Sequence, residues 1–442
     1  MKAKHTDLEK LEQLYKESGN QLVVLYGRRG CQKEELIKEF CDGKKFFYYR
    51  CRQASPEHQL EMMGEEISRQ YKVSLSRQTY EEYFARIKSG DPSKLVVIID
   101  EAQFVAKRDT SFMEAVAKLK KHKLYPGPVL IILATSSTVW ATQEAAEQFK
   151  GAEMKLESLN LLEVVRHFAE IVRIYGAIGG VPAYLDKWDA AKSFKDNICR
   201  LVLTPSGALY GEADAVISAE LRELSAYSTI LAAIARGENK LNDIFHATGF
   251  SRAKISVYLK NLANFNIVEK VVSFETGGWE NAKKGVYQIK DTFVNFWFKF
   301  VYPNMSNLYL LSPEEFYDTY IEKELDAYLE RYFREVCTEY LLILNQMGQL
   351  PFTIKRVGTW IGKTGRIDIV AQSEDRRSII GFCNWDKPMM TMDMCENMAM
   401  AMDQARLTSD DYYLFSATDF EPALQSYVVR DPRFKLINMN EL

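Results

Sequence analysis

The sequence predicts a multidomain α/β protein: a doubly wound parallel-sheet domain, then a helical middle with a winged helix-turn-helix, then a second α/β unit. Three observations predict it. The apolar runs QLVVLY (21–26), LVVIID (95–100) and PVLIILA (128–134) alternate with amphipathic stretches. Such runs suit strands buried on both faces, as in a parallel sheet covered by helices. Residues 226–290 read helix, helix, turn, helix, hairpin, and residues 325–442 mix helix and strand again. At 442 residues, 47% hydrophobic and 26% charged, the chain has material for several packed cores and does not read as disordered.

In order along the chain, Leu8, Leu11 and Tyr15 recur at helical spacing. Strand 21–27 ends on Gly27, a helix follows at EELIKEF, and KFFYYR (45–50) is a second strand. Residues 57–90 are acidic and helical, leading to the strands at 95–100 and 128–134. From Leu156 to Ile230 the reading is mostly helical, broken by AIGGVPAYL (177–185). AYSTILAAIARG and LNDIFHATGF are the next helices, the second stopped by Gly249. Ser251 is placed to cap SRAKISVYLKNLANFNIV. EKVVSF and GVYQI then form two strands around a Gly-rich turn. Residues 291–330 are aromatic and helical, and 325–442 reads α, β, β, α, β. The expected domains are 1–155, 156–225, 226–290, 291–324 and 325–442.

Composition narrows the functions. Lys plus Arg number 57 against 60 Asp plus Glu, a formal charge of −3, so any nucleic-acid contact must come from a local patch. The seven cysteines contain no CxxC pair, which excludes a zinc ribbon, argues against a secreted disulfide scaffold and suits a reducing cytoplasm. The polar N-terminus is not a signal peptide, and no apolar run has the length to span a bilayer, so no membrane role is expected. The five histidines form no spacing for a metal site or a triad.

The strand–glycine–helix at QLVVLYGRRGCQKE is where a phosphate loop belongs, in the pattern G-x-x-x-x-G-K-[ST]. Gly27 and Lys33 match. The glycine before the lysine is Gln32, and the Mg²⁺-ligating hydroxyl is Glu34. Glycine there lets backbone N–H groups close around phosphates in conformations a Cβ disfavours. A carboxylate beside the phosphates at ~4 Å, in an effective dielectric of ~20, costs about 4 kcal/mol. Residues Gly27, Arg28, Arg29, Gly30, Cys31, Gln32, Lys33, Glu34 and Glu35 form the candidate nucleotide site, with ATP and Mg²⁺ as expected but weakened ligands. LVVIIDEAQ (95–103) supplies the second landmark: Asp100 to anchor Mg²⁺ and Glu101 to polarise the attacking water. The strand at 129–135 leads to Ser136, the candidate sensor. The plainer reading of Asp100 and Glu101 is a helix-terminal acid pair after a buried strand.

These residues resemble a family. YGRRGCQKEELIKEF is similar to the YGRRxxGKTxLIxEF block of the archaeal-type ATPases in the STAND group of P-loop proteins. FYYRCRQASPEHQL, YGAIGGVPAYLDKW, YQIKDTFVNFWFKFVYPN and YYLFSA resemble later blocks, in order, over nearly the whole chain. The resemblance implies an AAA-like P-loop ATPase domain, an all-α lid with a winged helix, and a C-terminal domain similar to PD-(D/E)xK nucleases. It also implies a metal-binding role for Asp368 in GRIDIVA. The expected GECKW reads GFCNW, so Phe382 replaces a carboxylate and Asn384 a lysine, and Arg334 stands where relatives often carry Glu. One carboxylate does not hold Mg²⁺ for hydrolysis, so Asp368 is vestigial, reading as a surface or strand-end acid, and nuclease activity is not expected.

On the winged helix, Arg252, Lys254 and Lys260 are candidate DNA contacts, with Lys270, Lys283 and Lys284 on the hairpin. Glu269, Glu275 and Glu280 dilute them, and packing within the molecule is the competing reading. KLKKHK (118–123) reads as a solvated basic face. Residues 388–402 hold seven methionines, read as core packing, an adaptable partner face or, least, a Cu(I) site. The favoured function is a degenerate ATPase-family protein, a pseudoenzyme with weak or lost hydrolysis acting as a nucleotide-sensing or structural interaction module with an unidentified protein partner. A working STAND-type ATPase and a winged-helix regulator of duplex DNA are the alternatives.

Overall fold

The computed structural model describes residues 5–73, 79–87, 93–121, 128–156, 168–218, 221, 223–274, 285–362 and 365–439. They divide into two compact units, Met1–Ser158 with Val181–Asp186, and Leu159–Gly180 with Lys187–Leu442. Among the described residues, no helix is long and apolar enough to cross a membrane.

The first unit is built on five parallel strands: β1 (Gln21–Tyr26), β2 (Phe46–Arg50), β3 (Leu95–Asp100), β4 (Val129–Thr135) and β5 (Glu153–Lys155). Their order is β2-β3-β4-β1-β5, with β4 inserted between the strand of the glycine loop and the strand of the acid pair. The continuous apolar runs are buried on both sides, as the sequence requires. Leu22 and Val24 face one core, with Ile99, Leu133 and Trp140, while Val23 and Leu25 face the other, with Leu36, Phe40 and Ile98. The edge strand β2 departs from this, because only one neighbour covers it and Phe46 remains 49% exposed. Strand β5 has no apolar run to announce it; it is held by pairing, Val24 opposite Glu153, and by Met154 buried in the second of these cores. Parallel order brings the C-terminal ends of β1, β2, β3 and β4 to one edge, where open α/β sheets bind ligands.

In the second unit, helix Leu241–Thr248 ends on Gly249 at φ 70, and Ser251 Oγ accepts the Lys254 N–H to open helix Arg252–Asn264. Strands β6 (Val268–Val271) and β7 (Val286–Ile289) pair antiparallel to complete the winged helix. Glu275, Glu280, Lys283 and Lys284 lie outside the described residues. The aromatic stretch is a core element, with Phe293, Phe296, Trp297, Phe298 and Phe300 buried. Helix Glu322–Gln346 leads into β8 (Arg356–Ile361), β9 (Arg366–Gln372), β10 (Ser378–Asn384), β11 (Met389–Met390), β12 (Asp411–Ser416), β13 (Asp419–Phe420) and β14 (Phe434–Asn438). The main sheet runs β14-β12-β10-β9-β8, antiparallel at β8–β9–β10 and parallel at β10–β12–β14. The expected α, β, β, α, β pattern is therefore too sparse. The missed strands are β8 and β14, half-buried edges without an apolar run, and the two-residue strands β11 and β13. The methionine-rich segment is mostly core: Met390, Met398 and Met402 are buried on helix Met392–Ala405 and the strand before it, while Met389 and Met400 are exposed.

Candidate functional site

The loop after β1 is fixed by two glycines. A Cβ on Gly27 would meet the Leu156 carbonyl oxygen at 2.6 Å. Gly30 adopts φ 88, and a Cβ there would meet Val181 Cγ1 at 2.9 Å and Ala183 Cβ at 3.0 Å. The segment Val181–Asp186 thus lies against the loop, tied by Ala183 N–H donating to Gly30 O at 3.3 Å and by Arg28 donating to the Tyr184 hydroxyl at 3.0 Å. Gln32 adopts φ 56 where the phosphate-loop pattern has glycine. The left-handed turn persists without its glycine, at about 1 kcal/mol of backbone strain. Helix Lys33–Cys41 starts from that residue with no side-chain cap. Cys31 and Lys33 are buried, whereas Arg29, Glu34 and Glu35 are exposed. Lys33 Nζ folds back onto the loop, donating to Gly27 O at 2.7 Å and Arg28 O at 3.1 Å. Burial holds its pKa below the usual lysine range.

The acid pair stands at the end of β3, and register places Asp100 opposite Arg50 of β2. Asp100 is buried. Its Oδ2 accepts from the Tyr48 hydroxyl at 2.8 Å, and its Oδ1 from Glu101 N–H at 2.9 Å. Burial raises its pKa in spite of these donors. Arg50 contacts both acids: Nη1 lies 2.7 Å from Glu34 Oε1, and Nε 3.5 Å from Asp100 Oδ2. Glu34 thus presents an exposed carboxylate that is paired with Arg50. Glu101, at φ 50, accepts from Ser136 Oγ at 2.7 Å and Gln103 Nε2 at 2.6 Å. Thr135 Oγ1 donates to Gln103 Oε1 at 2.6 Å. The structure therefore brings together Lys33, Glu34, Asp100, Glu101 and Ser136.

In P-loop ATPases, Mg²⁺ is held by the hydroxyl after the lysine and by the acid at the end of the neighbouring strand. The residues that the sequence pattern aligns with those positions are Glu34 and Asp100, and a guanidinium bridges them. This arrangement does not fit a divalent ion, since a cation with its own covalent tether already spans the two carboxylates. Sequence reasoning missed Arg50, Tyr48 and Tyr184. The signal available was charge and hydroxyl at the C-terminal end of an otherwise aromatic strand.

The second acidic centre differs from expectation as well. Asp368 is not a surface acid; it is buried on β9. Its Oδ1 lies 3.1 Å from Arg334 Nε and 2.8 Å from Arg366 Nε, and its Oδ2 accepts Cys383 N–H at 3.1 Å. Arg366 also pairs with Glu330, and Glu335 is engaged by Arg331 at 2.8 Å. Asn384 is a buried tie between loops, donating to Ser416 Oγ at 3.0 Å and Thr418 Oγ1 at 3.1 Å. Among the described residues no cluster of three His, Cys, Asp or Glu side chains has the arrangement to hold a metal ion.

Arg252, Lys254 and Lys260 are exposed on one helix of the winged fold. Arg252 also donates to Asn242 Oδ1 at 2.5 Å and lies 4.0 Å from the Phe245 ring centre, and Lys254 is 4.6 Å from that of Phe250. Glu269 on the hairpin faces Arg331 at 3.5 Å.

Residues 297–399 match the family DUF234, described as archaeal and bacterial proteins of unknown function. Over 392 residues the chain is 25% identical to the uncharacterized protein MJECL04 of Methanocaldococcus jannaschii, spanning 86% of each. Among solved structures it is similar to the Walker-type ATPase PABY2304 of Pyrococcus abyssi, at 17% identity over 67% of this chain and 95% of that one, with TM-score 0.48. It is also similar to the Aeropyrum pernix Orc1 protein in complex with DNA, at 14% identity over 70% and 94%, with TM-score 0.34. Neither structure transfers a ligand or a role to this chain.

Proposed function

We propose that this chain is a P-loop-type protein that does not carry out Mg²⁺-dependent hydrolysis and works as a nucleotide-responsive or purely structural interaction module. The observation that carries this reading is the Glu34–Arg50–Asp100 bridge, 2.7 and 3.5 Å across its two contacts. Phosphoryl transfer to water relies on a cation that neutralises charge between the transferred and leaving phosphates. A tethered guanidinium on two carboxylates opposes entry of that cation. Three features favour retained anion binding: the backbone turn at Gly27–Lys33, the buried Lys33 ammonium and the exposed Arg29. Binding weaker than in a working ATPase is expected, because Glu34 adds negative charge that a hydroxyl would not. The Glu101–Ser136 contact at 2.7 Å supplies a route by which a bound phosphate alters β4.

Phosphate release from ATP, measured beside Lys33→Ala, tests this reading. The expected result is a rate at background in both proteins. Hydrolysis abolished by Lys33→Ala would establish a working ATPase instead.

A second reading, DNA contact, is favoured by the exposed Arg252, Lys254 and Lys260 on one helix. Affinity for duplex DNA should then fall steeply with salt and drop for Lys254→Glu. A salt-independent or absent mobility shift removes it. The C-terminal unit, with its acid paired to two arginines, is assigned a structural role rather than a nuclease one.

A further inference from the structure

We propose that Arg50 is the built-in cation of the loop, so that the site takes a nucleoside di- or triphosphate free of divalent metal. This deepens the reading above and rests on it. The geometry is specific. Register in the parallel sheet sets Arg50 opposite Asp100, and the side chain reaches across to Glu34 at the first turn of the helix after the loop. These are the two positions between which a P-loop ATPase seats Mg²⁺. Tyr48, on the same strand, donates to the Asp100 oxygen that faces Arg50, which fixes that carboxylate toward the bridge.

Charge decides which cation the site accepts. Glu34 and Asp100 together attract a divalent ion strongly when nothing else neutralises them. Arg50 neutralises one of those charges and occupies the space between them. Being covalently held, it competes without loss of translational freedom. Arg50 is half exposed, and the two contacts leave further N–H donors on the fork for an anion. A polyphosphate approaching Lys33 meets a guanidinium where it would otherwise meet Mg²⁺. The loop then reads the nucleotide's phosphates through Lys33 and Arg50 together, and cellular Mg²⁺, which shields free nucleotides, opposes binding.

Two readouts on Arg50→Gln and Arg50→Lys test the proposal. The first needs no nucleotide: Mn²⁺ titration followed by paramagnetic resonance. Wild-type protein is expected to leave Mn²⁺ free, Arg50→Gln to gain one bound ion, and Arg50→Gln with Asp100→Asn to lose it again. Tight Mn²⁺ binding by wild type that Asp100→Asn removes, or no gain in Arg50→Gln, overturns the role of Arg50. The second is calorimetry with ADP in EDTA and in Mg²⁺. Wild type is expected to bind at least as well in EDTA. Arg50→Gln should weaken about tenfold in EDTA and recover with Mg²⁺, and Arg50→Lys should retain metal-free binding. A tenfold gain of wild type with Mg²⁺ overturns the proposal. Absence of ADP binding in every protein and condition overturns the metal-free nucleotide site and nucleotide sensing, and the Mn²⁺ titration then separately judges whether Arg50 holds the cation position. Folding of each variant is checked by its melting temperature, which substitution of the half-exposed Arg50 should hardly move and substitution of the buried Asp100 should lower only slightly.

Discussion

Asp100 and Asp368 stand on strands of two separate sheets, and each faces arginine. The neutralisation differs in kind. Asp100 meets a single guanidinium that is half exposed and shared with Glu34, beside a lysine-bearing loop with positive-φ turns. Asp368 meets Arg334, Arg366 and a backbone N–H, with Phe382 packed and Asn384 hydrogen-bonded nearby. The first arrangement leaves its guanidinium half exposed beside the loop. The second buries the acid itself against Arg334, while the Arg366–Glu330 pair at its edge stays about two-fifths exposed. Two acids thus meet arginine in two physical settings: a guanidinium shared at a surface loop, and a buried carboxylate held by two guanidinium groups and a backbone N–H.

The largest effect should separate the two centres most sharply. Asp368→Asn leaves the mostly buried Arg334 without its carboxylate and should lower stability by about 3 kcal/mol, read as a urea midpoint. Asp100→Asn should cost about 1 kcal/mol or less, since burial already disfavours the charged form and Asn keeps an acceptor for Tyr48. Equal losses would erase the distinction.

Next in size is the pair of turns in the loop. Gly30→Ala puts a Cβ at φ 88 against Val181 and Ala183 and should destabilise by about 2 kcal/mol. Gln32→Gly should stabilise or leave stability unchanged, by up to about 1 kcal/mol, because it relieves φ 56. The reverse order in melting temperature would mean that the loop is not strained at position 32.

The smallest effects lie in pH dependence. Asp100 has a folded pKa above the ordinary 3.8, so the folded state binds the proton more tightly than the unfolded one. Its contribution favours folding at low pH and is lost as pH rises from 3.8 through the raised value. Lys33 runs oppositely. Its pKa is below 10.5, so the unfolded state binds more protons and stability gains as pH climbs through the lowered value toward 10.5. Asp100→Asn should remove the first slope and Lys33→Met the second, in urea midpoints measured across pH. Slopes unchanged in both variants would contradict the burial assigned to these groups.

What was legible in the sequence follows from the physics of each element. The strands β1, β3 and β4 announce themselves because burial on both faces demands unbroken apolar runs. The winged helix does so because Ser251 and Gly249 are position-specific caps. The lysine loop and the acid pair were legible as residue types in order. Their partners were not. Arg50 and Tyr48 reach Asp100 through parallel register, and Tyr184 reaches Arg28 across 156 residues of chain. Neither pairing leaves a local pattern. The same limit hid the pairing of Asp368 with Arg334, which lies on a distant helix, whereas Arg366 stands two residues away on the same face of β9. Edge strands β5, β8 and β14 escaped because half-buried backbone pairing asks little of side-chain composition.

The most direct test of the central claim is a crystal structure grown with ADP and Mn²⁺, with anomalous scattering recorded at the manganese edge. Arg50 holding the cation position predicts no manganese between residue 34 and Asp100, with the guanidinium still on both carboxylates and phosphate density near Lys33. A manganese peak ligated by Asp100, with Arg50 displaced to solvent, would contradict it.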